Sequence, residues 1–378
     1  MKLLFYAGGF PPIGGIESFI RDLSEALATH GHSAELLCWG PKSELLDEIA
    51  RYARVRRQRF RWGCRAFLPD LALAANPGVR LMAEHDIVLL TKLPPWPLVR
   101  LLRYAVCGHR YRPLVYVTPY RPREIWRDEK PAEGMLDLLD AIIVQAAGFA
   151  EDLRSLGYRG VVATIPYIPP KLAAPSALPV CGNIIRIGFL GRLVPQKNLL
   201  YLLKAFSLLH SDDHASQAAP RSWELHLFGD GGQRPALENA TSAYGLQKHV
   251  CFHGAIPHDA VQKAIDQCHL FAFSSVAEGQ CLAALEILAR GRPIVATPVG
   301  ALPEILIAPE LGAIARLDDA ADFARALGEV GAGLIEGRVT PQAIQRRFND
   351  LLCYEEVVQQ YCSVFSELAS MVHMPRAA

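Results

Sequence analysis

The chain has 378 residues, 51% hydrophobic and 20% charged, with a formal net charge of +1. That length exceeds what a single hydrophobic core sustains, so about two domains are expected; the composition excludes a disordered chain and the charge balance excludes nucleic acid as a partner. No run reaches the roughly 18 apolar residues of a membrane-spanning helix, and "MKLLFYAGGFPPIGG" lacks a signal-peptide core and cleavage site, so a cytoplasmic protein is expected.

From the N-terminus short apolar runs alternate with longer amphipathic stretches. They are "KLLFYAGG", a helix from about Ile16 to His30, "AELLCW", "DIVLL", "PLVYVTP", "AIIVQ" and "VVATIP". This βα repetition predicts a parallel sheet with helices on both faces. The nine cysteines form no CxxC pair and sit mostly in apolar runs, which predicts buried free thiols and neither disulfides nor a zinc site.

Between the second and third of these strands, "RYARVRRQRFRWGCR", Arg51 to Arg65, holds seven arginines, Tyr52, Phe60 and Trp62, and no acid. It reads as a solvated helix face or loop, or as a surface for anionic lipid headgroups with the aromatic residues at the interface. The stretch "KLPPWPLVRLLRYAVCGHRYR" (92–112) adds further positive charge to the same half.

The segment "PYIPPKLAAPSALPVCGN" (166–183) has five prolines and no periodicity and reads as a linker. A second βα series follows: "IRIGFLG", a helix from Asn198 to His210, "WELHLFGDGG", a helix near Pro235 to Tyr244, "VCFHG", "HLFAFSS", a helix through Glu286, and "PIVATPVG". The expected division is a domain over 1–166, a linker over 167–183, a domain over 184–350 and a terminal segment over 351–378. Two such domains enclose a cleft, and ligands of open α/β sheets lie beyond the carboxyl ends of the strands. The terminal "YEEVVQQYCSVFSELASMV" places Val357, Val358, Tyr361, Val364, Phe365 and Leu368 on one helical face, which needs an apolar surface to cover it.

Three segments suit an anion. In "IRIGFLGRLVPQKN" a strand ends at Gly191, and Arg192 and Lys197 follow on the way into a helix: a planar fork, a point charge and free helix amides. In "GGFPPIGGIESF", Gly14 and Gly15 precede the first helix, so the backbone can approach a ligand; the spacing is neither GxGxxG nor GxxxxGK[ST], which weighs against a dehydrogenase or an ATPase. In "SSVAEGQCLAALEILARG", Glu278 falls in a loop and Glu286 eight positions later in a helix, and the amides of Gln280, Cys281 and Leu282 open that helix. At about 1.5 Å per residue the two carboxylates are roughly 10 Å apart. They are poorly placed for one shared proton or metal ion and well placed to hold two ends of an extended ligand with anionic charge between them. A nucleotide-sugar has that form.

With these segments placed, the chain resembles the family 4 glycosyltransferases of GT-B architecture. The resemblance runs through "GGIESFIRDLSEALATHGHSAEL", "GRLVPQKN", "LFGDGG", "HGAIP", Glu278 with Glu286, "GALPEIL" and "YEEVVQQY". It implies two Rossmann-like domains, the second holding the donor, with the last helix crossing back onto the first, and a retaining reaction without a metal or other cofactor. By the same resemblance Arg192 and Lys197 would neutralise the donor diphosphate, Glu286 would bond the ribose and Glu278 the sugar. Gly14, Gly15, Gly229, Ile256 and Gly279 to Leu282 would line the site. The implied partners are a nucleotide-sugar and a lipid-linked or polysaccharide acceptor. A non-catalytic partner protein of the same fold is the other function in view.

The chain departs from the resemblance in three places. No histidine follows the first domain's fourth strand, where Thr118, Tyr120, Arg121 and Arg123 stand and His109 precedes; Gln280 and Cys281 replace a usual Phe-Gly; and Ala301 replaces a turn glycine.

Overall fold

A computed structural model of the chain describes residues 1–9, 15–39, 42–58, 81–82, 84–93, 113–125, 136–171, 173–180, 183–215 and 222–370. The chain divides into two compact units, Met1–Ile168 with Glu355–Ala378, and Pro169–Tyr354.

In the first unit the strands are β1 (Lys2–Gly9), β2 (Ser33–Trp39), β3 (Ala53–Gln58), β4 (Ile87–Leu90), β5 (Leu114–Val117), β6 (Ala141–Val144) and β7 (Val161–Thr164). They form one sheet in the order β3-β2-β1-β4-β5-β6-β7, with every pair parallel. Leu3, Leu4, Phe5, Ile87, Leu89 and Val115 are at most 1% exposed, as a sheet covered on both faces requires. The helix Gly15–Thr29 buries Phe19, Ile20, Leu23, Ala26 and Leu27 at helical spacing. The helix Tyr354–Ser370 packs in this unit, with the Tyr361 ring 5.9 Å from Phe19. It buries Val357, Val358, Tyr361, Cys362, Phe365 and Leu368; Val364, expected on that face, is only half-buried, and Cys362 takes its place.

One strand differs from the sequence reading. The start of the arginine-rich segment is neither helix nor loop but β3, the edge strand of the sheet. Ala53 is buried against Ala34 while Arg54 is exposed, so the alternation is that of a strand, and charge on an edge blocks pairing with other sheets. Counting β3, the strand "LVYV" is the fifth and not the fourth. Residues 59–65, including Phe60 and Trp62, lie outside the described residues.

The second unit carries β8 (Ile184–Leu190), β9 (Ser222–Phe228), β10 (Val250–Gly254), β11 (Leu270–Phe273), β12 (Ile294–Ala296) and β13 (Gly312–Ile314) in the order β10-β9-β8-β11-β12-β13, again parallel. β13 and the helices Ala320–Ile335 and Pro341–Leu351 went unread in the sequence. In both sheets the chain starts in the interior and winds outward in both directions. The reversal falls between β1 and β4 in one and between β8 and β11 in the other, and each leaves a crevice at the carboxyl ends of those strands.

The described residues of the proline-rich stretch form no helix or strand, yet from Ala173 on they are pinned to the second unit. The fully buried Arg292 guanidinium donates to the Cys268, Ser176 and Ala177 carbonyls at 2.8, 3.0 and 2.7 Å. The Gln345 amide reaches the Ala173 carbonyl, and His269 Nε2 reaches the Pro179 carbonyl at 3.0 Å.

Candidate functional site

Five loops leave the carboxyl ends of β8 to β12, and glycines bring the first two together. Gly191 and Gly229 have φ of 152° and 143°, and a Cβ on Gly229 would lie 1.8 Å from the Gly191 carbonyl oxygen. Only glycine permits that approach. The Leu193 amide donates to the Asp230 carbonyl at 2.9 Å, and the Gly229 amide to the Gly254 carbonyl at 2.8 Å. Ile256 follows in that third loop, half-exposed.

After β8 the chain makes a short 3-10 turn, Pro195–Lys197, and passes Asn198 in the left-handed region at φ 49° before the helix Leu199–Ala215. The loop after β11 is tied to this turn. The Val276 amide donates to the Gln196 carbonyl at 2.9 Å, the Gln196 side-chain amide to the Ala277 carbonyl at 2.7 Å, and the Ser274 hydroxyl to the Lys197 carbonyl at 2.9 Å.

These ties place Lys197 Nζ 2.5 Å from Glu278 Oε1, with the Ser275 hydroxyl donating to the same oxygen at 2.6 Å. The Glu278 side chain is 6% exposed and that of Lys197 17%. The ion pair sits at the β8/β11 reversal. Two of the expected residues are therefore bonded to one another. The hydrogen bonds that Glu278 accepts from side chains of the described residues both fall on Oε1.

From the other side Gly300, at φ 60°, presses on the Glu278–Gly279 backbone; a Cβ there would lie 2.2 Å from the Gly279 carbonyl oxygen. Ala301 takes φ −88°, an ordinary value for alanine, and its amide bonds the Gly279 carbonyl at 2.9 Å, so the lost glycine costs the turn nothing.

The helix Leu282–Ala289 begins later than the expected opening at Gln280. Gln280 is 1% exposed and precedes the helix, and Cys281 is its N-cap at φ 59°, ψ 77°, without a side-chain cap bond. The amides that open the helix therefore start from Leu282. Asn198 and Cys281 are the non-glycine residues of positive φ among those described, and each stands directly before a helix at this crevice. Burial, reinforced by Glu278, pushes the Cys281 thiol up to about 12, which keeps it neutral. Glu286 lies on the second turn, half-buried. Arg192 is exposed and its guanidinium bonds nothing among the described residues.

Gly15 is the exposed first residue of the helix Gly15–Thr29, in the first unit. Gly14 and His109 lie outside the described residues. Of the groups near the missing histidine, Arg121 and Arg123 both close on the buried Asp152, at 2.7 and 2.8 Å, and the Thr118 hydroxyl donates to Gln145 Oε1 at 3.3 Å. The sequence reading missed Gln196, Ser274, Ser275 and Gly300. The pair of serines at a strand end was their one visible sign.

Residues 13–167 match the family model described as Glycosyltransferase Family 4, and residues 185–331 the model described as Glycosyl transferases group 1. A relative from Arabidopsis thaliana, named as a subunit of phosphatidylinositol N-acetylglucosaminyltransferase, is 31% identical over 132 residues, 35% of this chain and 29% of that protein. The 2-deoxystreptamine glucosyltransferase of Streptomyces kanamyceticus is 30% identical over 161 residues, 39% of either chain. The chain thus spans less than half the length of these relatives. The crystal structure of Anabaena HepE in complex with UDP superposes with a TM-score of 0.72 at 17% identity, covering 97% of this chain and all of that one. Two parallel α/β sheets of Rossmann-like order, matched along both halves, make the chain a member of the family 4 glycosyltransferases, of GT-B fold.

Proposed function

We propose that the chain is a retaining glycosyltransferase that moves a sugar from a nucleotide-sugar donor to a lipid-linked or polysaccharide acceptor. The observation that carries this reading is the Lys197–Glu278 pair, held by Ser275 at the β8/β11 reversal beside two helix starts. Lys197 and Arg192 take the donor diphosphate with the amides opening at Leu282. Glu278 offers Oε2 to a sugar hydroxyl, and Glu286 takes the ribose. Gly229, Ile256 and Gly279 to Cys281 line the donor. UDP, the nucleotide named in the HepE complex, is the first base to test.

In the reaction the bond from the sugar's anomeric carbon to the diphosphate oxygen breaks, and the bond to an acceptor hydroxyl oxygen forms on the same face. The acceptor's proton passes to the departing phosphate oxygen. The cations and helix amides stabilise the charge that develops there, so this reading routes no step through a metal.

The arginines of 51–65 extend the proposal to an anionic membrane surface, where a cytoplasmic enzyme would meet a lipid-linked acceptor. Among the described residues no helix is long and apolar enough to cross a membrane. Arg51 and Arg54 on and beside the edge strand are exposed. Co-sedimentation with phosphatidylglycerol vesicles at low salt, absent with phosphatidylcholine, is the expected result.

A second reading, a non-catalytic partner of another transferase, rests on the Arabidopsis relative, which is named as one part of a larger enzyme. Transfer or donor hydrolysis by the pure protein separates the two. Lys197→Ala and Glu286→Ala are each expected to lower turnover by at least about 100-fold, consistent with charge-assisted contacts of roughly 1.5 to 3 kcal/mol acting together with lost positioning. Near-wild-type turnover in both would sink the catalytic assignment.

A further inference from the structure

The carboxyl edge of the first sheet carries buried polar side chains that the donor site does not use. The residue directly after β4 is Thr91, after β5 Thr118 and after β6 Gln145; they are 4%, 0% and 4% exposed. Thr91 donates its hydroxyl to the Tyr6 carbonyl at 3.3 Å. Thr118 donates to Gln145 Oε1 at 3.3 Å, while its carbonyl accepts the Tyr167 hydroxyl at 3.2 Å. Gln145 Nε2 is buried and bonds nothing among the described residues. Exchanging the two ends of the amide does not help: Thr118 would then accept from Nε2, and Oε1 would be left over. A buried unpaired amide is rare and costly. This one stands along the strand ends where α/β sheets take ligands.

We infer that Gln145, braced by Thr118, binds ligand in the first unit, its unpaired amide end bonding an oxygen of an uncharged sugar or polyol group. An amide offers both a donor and an acceptor and so matches a hydroxyl, which is both. The nearby cations are not set out for an anion, since Arg121 and Arg123 share the 1% exposed Asp152. The inference rests on the reading of the chain as a sugar transferase, and it adds a substrate contact in the half that holds neither Lys197 nor Glu278.

The full chain and Gln145→Leu are compared by saturation-transfer NMR with methyl α-glucoside and myo-inositol, by calorimetry with UDP, and by thermal melting. The variant is expected to bind UDP within twofold of wild type, to bind the wild-type polyol ligand at least tenfold more weakly, and to melt within about 5 °C of wild type, because leucine removes the unpaired amide end while it takes from the Thr118 hydroxyl its acceptor. A lower melting temperature with unaltered polyol binding marks a structural residue and overturns the inference, as does a polyol signal equal in both proteins. If Gln145→Leu does not fold, Gln145→Met, which keeps the length without the amide, carries the same expectations. Wild type that binds a polyol but no UDP rules out UDP as the donor nucleotide and leaves Gln145 standing. Wild type that binds UDP but no polyol does the reverse, and binding of neither overturns both.

Discussion

Lys197 Nζ lies 2.5 Å from Glu278 Oε1, and the carboxylate is the more buried partner, 6% exposed against 17%. The two halves of this pair are therefore not equivalent. Removing Lys197 strands a buried anion; removing the charge of Glu278 leaves a lysine that can turn toward water. Lys197→Met is expected to cost about 3 kcal/mol and Glu278→Gln about 1 kcal/mol. The double variant should lose less than the sum, with a coupling of at least about 1 kcal/mol. Urea unfolding of the four proteins measures this; strict additivity would show that the pair does not act as a unit.

Arg192 gives the opposite expectation. Its guanidinium is exposed and bonds nothing among the described residues, so Arg192→Ala should change stability by no more than about 0.5 kcal/mol. Binding of UDP should nonetheless weaken about 10-fold or more, and the loss should shrink at high salt. Calorimetry at two salt concentrations checks both points, and unchanged affinity would remove Arg192 from the diphosphate site.

The alternation of apolar runs and helices made both sheets legible in the sequence, because buried parallel strands are continuous Val, Ile and Leu runs such as "IVLL" and "AIIV". β3 was not legible because an edge strand needs only one buried face, and its arginines masked the alternation of Ala53 and Arg54. At the site, charge was visible and pairing was not. Glu278 and Lys197 are 81 positions apart, and the contacts that join them run through main-chain carbonyls and Ser274, Ser275 and Gln196, whose side chains have many other uses. The role of 169–180 was hidden for the same reason: Arg292 grips carbonyls, and carbonyls have no sequence.

Cys281 holds φ 59°, a conformation that costs a side chain bearing Cβ about 1 to 2 kcal/mol and glycine little. Cys281→Gly should therefore be neutral or stabilising by about 1 kcal/mol, whereas Cys281→Val should destabilise by more than that. Thermal melting distinguishes them. A marked loss of stability in the glycine variant would mean that the buried thiol's packing outweighs the backbone strain.

His269 supplies a pH dependence with a definite sign. Its Nδ1 accepts the Arg186 amide at 3.0 Å and its Nε2 donates to the Pro179 carbonyl at 3.0 Å, an arrangement that only the neutral ring can make. Burial lowers it to about 4 from 6.5, helped by Arg292 and Arg186. Between those values the unfolded chain binds a proton that the folded chain refuses. The stabilisation is complete above pH 6.5, declines as pH falls and is lost by about pH 4, by at most about 3.5 kcal/mol at about 1.4 kcal/mol per unit. His85, His226 and His253 are lowered by burial as well and add loss in the same direction. In His269→Asn the side-chain carbonyl still accepts from Arg186 while the tie to Pro179 goes, which should cost about 1 kcal/mol at pH 7.5. At pH 5 the variant should be the more stable protein, because it has no ring to protonate. Unfolding curves at pH 7.5, 6 and 5 test this, and parallel losses in both proteins would show that His269 is not the group responsible.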